Sequence, residues 1–192
     1  MTHIYRLPLL TALCSLAWPL STALAQTSQT IQHVVEPVET LKTVKRAAHQ
    51  TPSGFPVPRY VSLKVGIVNG RIGPSRKHTI AWQYQRKGLP LLVIAETDMW
   101  RKVRDVNGDE SWIHKPALSG QRMAIALQDT MLYKRPQDDI SSVTLTAVAL
   151  TEKDALLKLM ECQDTGWCQF RAQNGVKGWA PYTYFWGAAP LE

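Results

Sequence analysis

An internal sequence repeat constrains the fold of this 192-residue chain more than any other feature. Shifting the chain so that Trp100 aligns with Trp167 brings six identical pairs into register within one short window. The pairs are Trp100/Trp167, Arg104/Arg171, Asn107/Asn174, Gly108/Gly175, Trp112/Trp179 and Gly120/Gly187. Two of them form an Asn-Gly dipeptide, which is the strongest short-range signal for a β-hairpin. The repeat therefore predicts two copies of one small β unit.

Short apolar runs between Gly, Pro, Asn and Asp turns predict strands in both copies. In the first copy they are Tyr60–Lys64, Thr79–Gln85, Pro90–Thr97, Trp100–Val106 and Glu110–His114. In the second they are Met123–Leu127, Val143–Ala149, Leu156–Cys162, Trp167–Ala172 and Lys177–Ala180. The spacing in 151–160 could also be helical, but the repeat aligns it with a strand. A 3₁₀ turn is expected at 115–118 and at 181–184. Many short strands favour small closed barrels and an all-β fold class.

The N-terminal segment, 1–25, has the pattern of a signal peptide. Arg6 precedes an apolar stretch over 7–20, and an Ala-Leu-Ala site ends at Ala25, just before Gln26. The alternative is an uncleaved membrane anchor, but the stretch is short for a span and contains Thr and Ser. Cleavage between Ala25 and Gln26 predicts an exported protein of the periplasm or cell envelope, without a stable membrane span.

Residues 26–58 are expected to form a flexible linker. The run 26–32 is rich in Gln, Thr and Ser, and prolines interrupt any helix that follows. The composition changes at Arg59, where the strand pattern of the first copy begins.

Two cysteines, Cys162 and Cys168, remain once cleavage removes Cys14. Two cysteines in an oxidising compartment indicate one disulfide. The turn at 163–166 makes them cross-strand partners, and antiparallel neighbours are close enough at Cα for a disulfide. A metal site is not expected, because no histidine lies near and two thiolates alone bind zinc poorly.

Three motifs of the first copy resemble the bacterial SH3-like domain. They are Asn69-Gly70-Arg71-Ile72-Gly73-Pro74-Ser75, Trp100-Arg101-Lys102-Val103, and Ser111-Trp112-Ile113 after Gly108. Cys162 and Trp167-Cys168-Gln169-Phe170 resemble an exported subfamily with two modules and a cysteine pair in the second. The resemblance implies two SH3-like β-barrels, module 1 at 59–120 and module 2 at 121–187. Gly70 and Ser111 depart from the family pattern, and module 2 keeps only Arg135-Pro136 of the Gly-Pro turn.

No catalytic set is recognisable, so the chain is predicted not to be an enzyme and to need no cofactor or metal. In SH3-like barrels, exposed aromatic residues can form a groove for an extended peptide. The resemblance implies Tyr84, Trp100, Tyr182 and Tyr184 as ligand-binding candidates. Alternatively, these side chains belong to the core or to the junction between the modules. Strand alternation predicts that Trp112 and Trp179 face the core.

The formal net charge of +7 is spread along the chain. It favours contact with anionic surfaces such as cell-wall polymers or lipid head groups, or else describes a solvated basic surface. The leading hypothesis is a non-catalytic exported binding protein for cell-wall peptidoglycan or an envelope protein, with no nucleic-acid partner. The alternative is a structural or assembly protein without a small ligand. Since only module 1 keeps the Gly73-Pro74-Ser75 turn, ligand contact is expected there, with a stabilising disulfide in module 2.

Overall fold

The computed structural model describes residues 50–136 and 146–191. The predicted signal peptide, its cleavage site at Ala25 and Gln26, and the first part of the predicted linker lie outside the described residues. The described residues form two seven-stranded antiparallel sheets and two 3₁₀ turns within them. The predicted all-β fold class is therefore confirmed, and the two sheets are consistent with tandem SH3-like domains.

The sheet of module 1 has the strand order β3-β2-β6-β5-β4-β1-β7. Its strands are β1 (Arg59–Leu63), β2 (Val68–Arg71), β3 (Ile80–Tyr84), β4 (Pro90–Glu96), β5 (Trp100–Arg104), β6 (Glu110–His114) and β7 (Leu118–Ser119). A 3₁₀ turn at Lys115–Ala117 joins β6 to β7. Because β1 pairs with both β4 and β7, the last strand of the module lies beside the first.

The sheet of module 2 has the order β10-β9-β13-β12-β11-β8-β14. Its strands are β8 (Met123–Ala126), β9 (Thr130–Tyr133), β10 (Ala147–Thr151), β11 (Leu156–Cys162), β12 (Trp167–Arg171), β13 (Lys177–Pro181) and β14 (Phe185–Trp186). A 3₁₀ turn at Tyr182–Tyr184 joins β13 to β14. When β1 is set against β8 and the rest follow in sequence, the two orders are the same.

Each sheet encloses its own apolar core. The buried core of module 1 consists of Val57, Leu63, Val68, Tyr84, Leu91, Val93, Val103 and Ile113. The buried core of module 2 consists of Ala124, Ala126, Leu132, Leu157, Leu159, Cys168, Phe170, Ala180, Phe185 and Ala188. In module 2 the rings of Phe170 and Phe185 stack with their centroids 4.1 Å apart. Side chains that alternate along the strands supply both cores, as period-2 patterning requires.

The turns between strands explain why the repeat is visible in the sequence. Gly108 and Gly175 both have positive φ, at 91° and 88°, which glycine adopts at little cost. Gly88 (φ 82°) and Asp154 (φ 65°) take the same backbone region in the turns before β4 and β11. The segment 156–162 is a strand, so the prediction taken from the repeat is confirmed over the helical alternative.

The strand predictions are confirmed with shifted ends, except that residues 143–145 of the predicted strand Val143–Ala149 lie outside the described residues. Four short strands were not predicted. These are β2, β7, β9 and β14. β7 and β14 have two residues each, too few to show any alternation. β2 carries Asn69 and Gly70, residue types that are depleted in strands. Their pairing depends on neighbouring strands rather than on local sequence.

The prediction that Trp112 faces the core is wrong. Ser111 and Ile113 are 2% and 0% exposed, and Trp112 lies half-buried on the opposite face of β6. On that face it is the ladder partner of Lys102 and Arg71. The small Ser111 takes the inward position, where its hydroxyl lies 3.1 Å from that of the buried Tyr84. Trp179 is 9% exposed, but it is not part of the core of module 2, to which the next residue, Ala180, belongs. Like Trp112, it lies on the face opposite to the core, so the prediction of a core-facing position is wrong for it as well.

The last residues before β1 are attached to module 1. Val57 is 3% exposed and belongs to the core of this module. The backbone N–H of Ser53 donates a 2.9 Å hydrogen bond to Oε1 of Glu96. These contacts differ from the expectation of a flexible linker up to residue 58. The sequence did not indicate them, because Val57 stands between two prolines, which are typical of a linker.

Candidate functional site

Module 1 carries a pocket of about 320 Å³ between the residues that precede β1 and the 3₁₀ turn, called here the basic pocket. Its lining residues are Ser53, Phe55, Arg59, Tyr60, Val61, Arg101, Lys115, Leu118, Ser119 and Gly120. Strand β1, strand β5 and the 3₁₀ turn bring these side chains together. The lining combines three cationic side chains with two aromatic rings.

Glu96 forms ion pairs with two of the cations. Its Oε2 lies 2.5 Å from Nη2 of Arg59 and 3.0 Å from Nε of Arg101, and the Glu96 side chain is 2% exposed. Burial raises the pKa of Glu96, but hydrogen bonds from Ser53 and Arg59 outweigh burial and leave the pKa below its usual value of 4.5. Glu96 is therefore ionised at neutral pH, and Arg59 and Arg101 share its single negative charge.

Lys115 is the cation of this pocket that no acidic side chain of the described residues neutralises. It is exposed at the start of the 3₁₀ turn, where its backbone N–H bonds to the carbonyl of Met99. Phe55 is 62% exposed, with the guanidinium of Arg59 5.7 Å from the centre of its ring. The pocket thus offers one free ammonium group and an exposed aromatic surface to a ligand.

A second pocket, of about 540 Å³, lies in module 2 beside the disulfide and is called here the disulfide pocket. Its lining residues are Arg122, Leu159, Met160, Glu161, Cys162, Gln163, Asp164, Gly166, Tyr182, Ala188 and Pro190. Tyr182 begins the second 3₁₀ turn, as Lys115 begins the first, and the repeat aligns these two residues. The two pockets therefore adjoin equivalent turns.

The predicted disulfide between Cys162 and Cys168 is confirmed. The two residues are direct ladder partners on β11 and β12, with Cα atoms 4.0 Å apart. A disulfide that closes so short a loop stabilises a fold by about 2 kcal/mol on the chain-entropy model. The disulfide is also compatible with an oxidising compartment.

The same ladder position in module 1 holds an ion pair. Glu96 on β4 is the direct partner of Arg101 on β5, and the repeat aligns Arg101 with Cys168. Arg101 is 3% exposed and Cys168 is 0% exposed, so both side chains point inward. Each module therefore closes this hairpin with a cross-strand bond of a different chemistry.

The four predicted ligand-binding aromatic residues do not lie on one surface. Tyr84 is 6% exposed, and its hydroxyl lies 3.1 Å from Oγ of Ser111. Burial raises the pKa of Tyr84, and the Ser111 hydrogen bond offsets part of this. Trp100 is 8% exposed, with its ring centroid 5.1 Å from that of His114. An alanine at Trp100 would therefore remove packing within module 1.

The other two candidates belong to module 2. Tyr182 is half-buried and lines the disulfide pocket, whereas Tyr184 is 38% exposed. Ligand contact by any of the four stays a prediction. Sequence reasoning missed Phe55, Tyr60 and Lys115, because nothing in the local sequence shows that residues so far apart meet around one pocket.

Side chains from both modules meet at a junction. The rings of Tyr60 and Trp186 are perpendicular, with centroids 5.6 Å apart. The guanidinium of Arg122 lies 5.5 Å from the centre of the Tyr60 ring and donates a 2.9 Å hydrogen bond to the Gly187 carbonyl. Burial raises the pKa of Tyr60, and the charge of Arg122 offsets part of this. Ser62 Oγ donates a further bond to the Gln121 carbonyl.

Among residues 50–136 and 146–191, no group of three His, Cys, Asp or Glu side chains is arranged to hold a metal ion. No helix in this part of the chain is long and apolar enough to cross a membrane.

The family model of the bacterial SH3 domain matches residues 64–120. The predicted resemblance to the bacterial SH3 domain is therefore confirmed for this segment, which runs from the end of β1 to the end of module 1. A bacterial SH3 domain indicates a binding module. The more specific resemblance to an exported subfamily with two modules stays a prediction.

Two of the solved structures to which the chain has a low similarity are proteins of Trichomonas vaginalis. NlpC2 has a TM-score of 0.31 and 10% identity, over 68% of this chain and 48% of that chain. NlpC1 has a TM-score of 0.29 and 12% identity, over 67% of this chain and 45% of that chain. The chain spans about half the length of these proteins, and TM-scores this low carry no argument about its function. No curated protein matches the sequence.

Proposed function

We propose that this chain is a non-catalytic, exported protein of the cell envelope that binds cell-wall peptide through the basic pocket of module 1. The observation that supports this most is that half of the residues lining the pocket, including Lys115 of the 3₁₀ turn, belong to the segment that matches the bacterial SH3 domain. A binding site of this kind combines an apolar surface with a few polar groups that fix the orientation of the ligand.

The chemistry of the pocket matches a peptide that carries a carboxylate. Glu96 pairs with both Arg59 and Arg101, which leaves one positive charge on this group in addition to that of Lys115. Lys115 provides a free ammonium for the carboxylate, and the exposed Phe55 provides apolar contact for the rest of the peptide. An exposed lysine attracts an anion through a screened charge, so binding should weaken as salt increases.

Co-sedimentation with purified peptidoglycan tests the proposal. The chain from Gln26 onward should sediment with peptidoglycan at low salt, and Lys115→Ala and Phe55→Ala should each lower the bound fraction several-fold. Lys87→Ala is the matched control, since it removes the same charge from an exposed turn of module 1 outside the pocket. No retention of the wild-type chain, or equal losses in Lys115→Ala and Lys87→Ala, would overturn the proposal.

The junction between the modules favours an assembly function as the second candidate. Tyr60 is 9% exposed because it contacts Trp186 and Arg122, so aromatic surface is used to join the modules rather than offered to a ligand. An assembly protein should not be retained by peptidoglycan. Instead, a photoreactive residue at the exposed Phe55 should crosslink to one defined envelope protein, and its failure to do so would remove this candidate.

A further inference from the structure

Three cationic side chains lie in one row across the sheet of module 2. Lys158 on β11 is the direct partner of Arg171 on β12, and Arg171 is the direct partner of Lys177 on β13. Neighbouring strands are about 4.8 Å apart, so the row brings three positive charges within roughly 10 Å. Like charges directly opposite each other destabilise a sheet. Such a row is therefore costly unless an anion compensates it.

The equivalent row of module 1 is compensated within the chain. It consists of Leu92, Arg104 and Glu110, which are ladder partners in the same way. Nε and Nη2 of Arg104 donate hydrogen bonds of 3.0 and 2.6 Å to Oε1 of Glu110. Lys102 Nζ lies 2.6 Å from the other carboxylate oxygen. Module 2 keeps the arginine but has a lysine, Lys177, where module 1 has the carboxylate.

The arginine of the row also has an unused donor. Nε of Arg171 is shielded from solvent, and no acceptor among the described residues bonds to it. Within the same residues, neither Lys158 nor Lys177 forms an ion pair within 4.0 Å. An arginine that no protein acceptor holds can turn its planar donor edge to an external oxyanion, which it binds through two parallel hydrogen bonds.

We propose that the row Lys158–Arg171–Lys177 binds a phosphate-type oxyanion. Arg171 provides the bidentate contact, and the two lysines on the flanking strands neutralise the remaining charge. This site lies in module 2 and uses none of the residues of the basic pocket, so it is independent of the proposed peptide binding. A phosphate of a soluble or polymeric compound and a phosphate of a lipid head group would present the same chemistry to it.

Calorimetric titration of the chain from Gln26 onward with inorganic pyrophosphate tests the site. The wild type should bind it, and the affinity should fall steeply with added sodium chloride. Lys177→Glu recreates the carboxylate of module 1 beside Arg171, so it should lower the affinity at least tenfold. Without ligand, this variant should melt at a higher temperature than the wild type, because it replaces a repulsive pair by an attractive one.

Two matched variants serve as controls. Lys87→Glu makes the same charge reversal in an exposed turn of module 1, and Arg104→Gln removes the equivalent arginine of that module. Both should keep pyrophosphate binding within about twofold of the wild type. Absence of binding to the wild type, or an equal loss in Lys177→Glu and Lys87→Glu, would overturn the proposal.

Co-sedimentation with lipid vesicles identifies the source of the phosphate. Vesicles of phosphatidylglycerol and phosphatidylcholine should retain the wild type, but not Lys177→Glu, if the site takes lipid head groups. If only free pyrophosphate binds, the ligand is a soluble or polymeric phosphate. Retention of both the wild type and Lys177→Glu by vesicles of phosphatidylcholine alone would show that the chain binds lipid independently of the row. That result would contradict binding of lipid head groups by this site.

Discussion

At the scale of single residues, one close approach between β2 and β6 explains why module 1 departs from the family pattern at Gly70 and at Ser111. A Cβ on Gly70 would lie 2.6 Å from Oγ of Ser111, and a Cβ on Gly178 would lie 2.6 Å from Cβ of Leu132. The strand pairing makes Gly70 equivalent to Leu132, and Ser111 equivalent to Gly178. Each module therefore has room for only one side chain at this position. Module 1 places it on β6, as Ser111, and module 2 places it on β9, as Leu132. In module 1, Ser111 uses the space to bond with Tyr84.

Gly70→Ala should lower the free energy of unfolding by about 1–3 kcal/mol, because the new methyl group overlaps the Ser111 side chain. Denaturant unfolding, followed by tryptophan fluorescence, measures the change. Ser111→Gly alone should cost about 1 kcal/mol through the lost hydrogen bond with Tyr84. In the double variant, Gly70→Ala should lower the free energy of unfolding clearly less than it does alone, since the Ser111 side chain that it would overlap is absent. Additive effects would show that the two residues do not compete for space.

At the scale of elements, the two modules hold the same hairpin closed by different bonds. The pair Glu96–Arg101 joins β4 to β5, and the pair Cys162–Cys168 joins β11 to β12. A buried ion pair costs desolvation, which hydrogen bonds from further donors must offset. Arg59 and the backbone of Ser53 provide those bonds to Glu96. The ion pair therefore requires Arg59 at the start of β1 and Ser53 before it, whereas the disulfide needs no third partner.

Glu96→Gln should destabilise the chain by about 3–5 kcal/mol at neutral pH, because it leaves the buried Arg101 without a counter-charge. Glu110→Gln is the matched control, since its partners are about one-third exposed and such pairs contribute about 0–1 kcal/mol. Folding lowers the pKa of Glu96, so the carboxylate stabilises the fold above its usual pKa of 4.5. That stabilisation is lost as the pH falls through the lower, folded-state pKa.

The measurement is denaturant unfolding of wild type and Glu96→Gln across this pH range. The difference in free energy between them should stay constant from about pH 7 to about pH 5 and shrink below that. A difference that does not change down to about pH 3 would show that the ionisation of Glu96 does not contribute to the stability of this hairpin.

The two bonds also show what the sequence could and could not predict. The disulfide was predictable because two cysteines flank one short turn. The ion pair was not, since its third member, Arg59, is distant in sequence and nothing local shows that Arg101 points inward. For the same reason the basic pocket was missed, although the turns and most strands were predicted. Local patterns identify strands and turns, whereas a pocket depends on which distant residues the fold brings together.

At the scale of the whole molecule, the junction is built on a residue that must be glycine. Gly187 has a φ of 95°, and a Cβ there would lie 2.5 Å from the Met123 carbonyl oxygen and 2.9 Å from Cβ of Pro90. Pro90 belongs to module 1, so the close approach joins both modules. The repeat aligns Gly187 with Gly120, where a Cβ would meet nothing within 4 Å. The identity of these two glycines in the sequence thus hides a difference in what each one does.

Gly187→Ala should separate the unfolding of the two modules. The added methyl group strains the backbone at positive φ and pushes Pro90 away, which should cost about 1–3 kcal/mol. Loss of that contact also loosens the packing of Trp186 on Tyr60. We expect the wild type to unfold in one transition and the variant in two, in guanidinium titrations followed by tryptophan fluorescence. Gly120→Ala is the matched control and should unfold like the wild type. One transition in Gly187→Ala at an unchanged midpoint would mean that the modules are coupled by contacts other than this one.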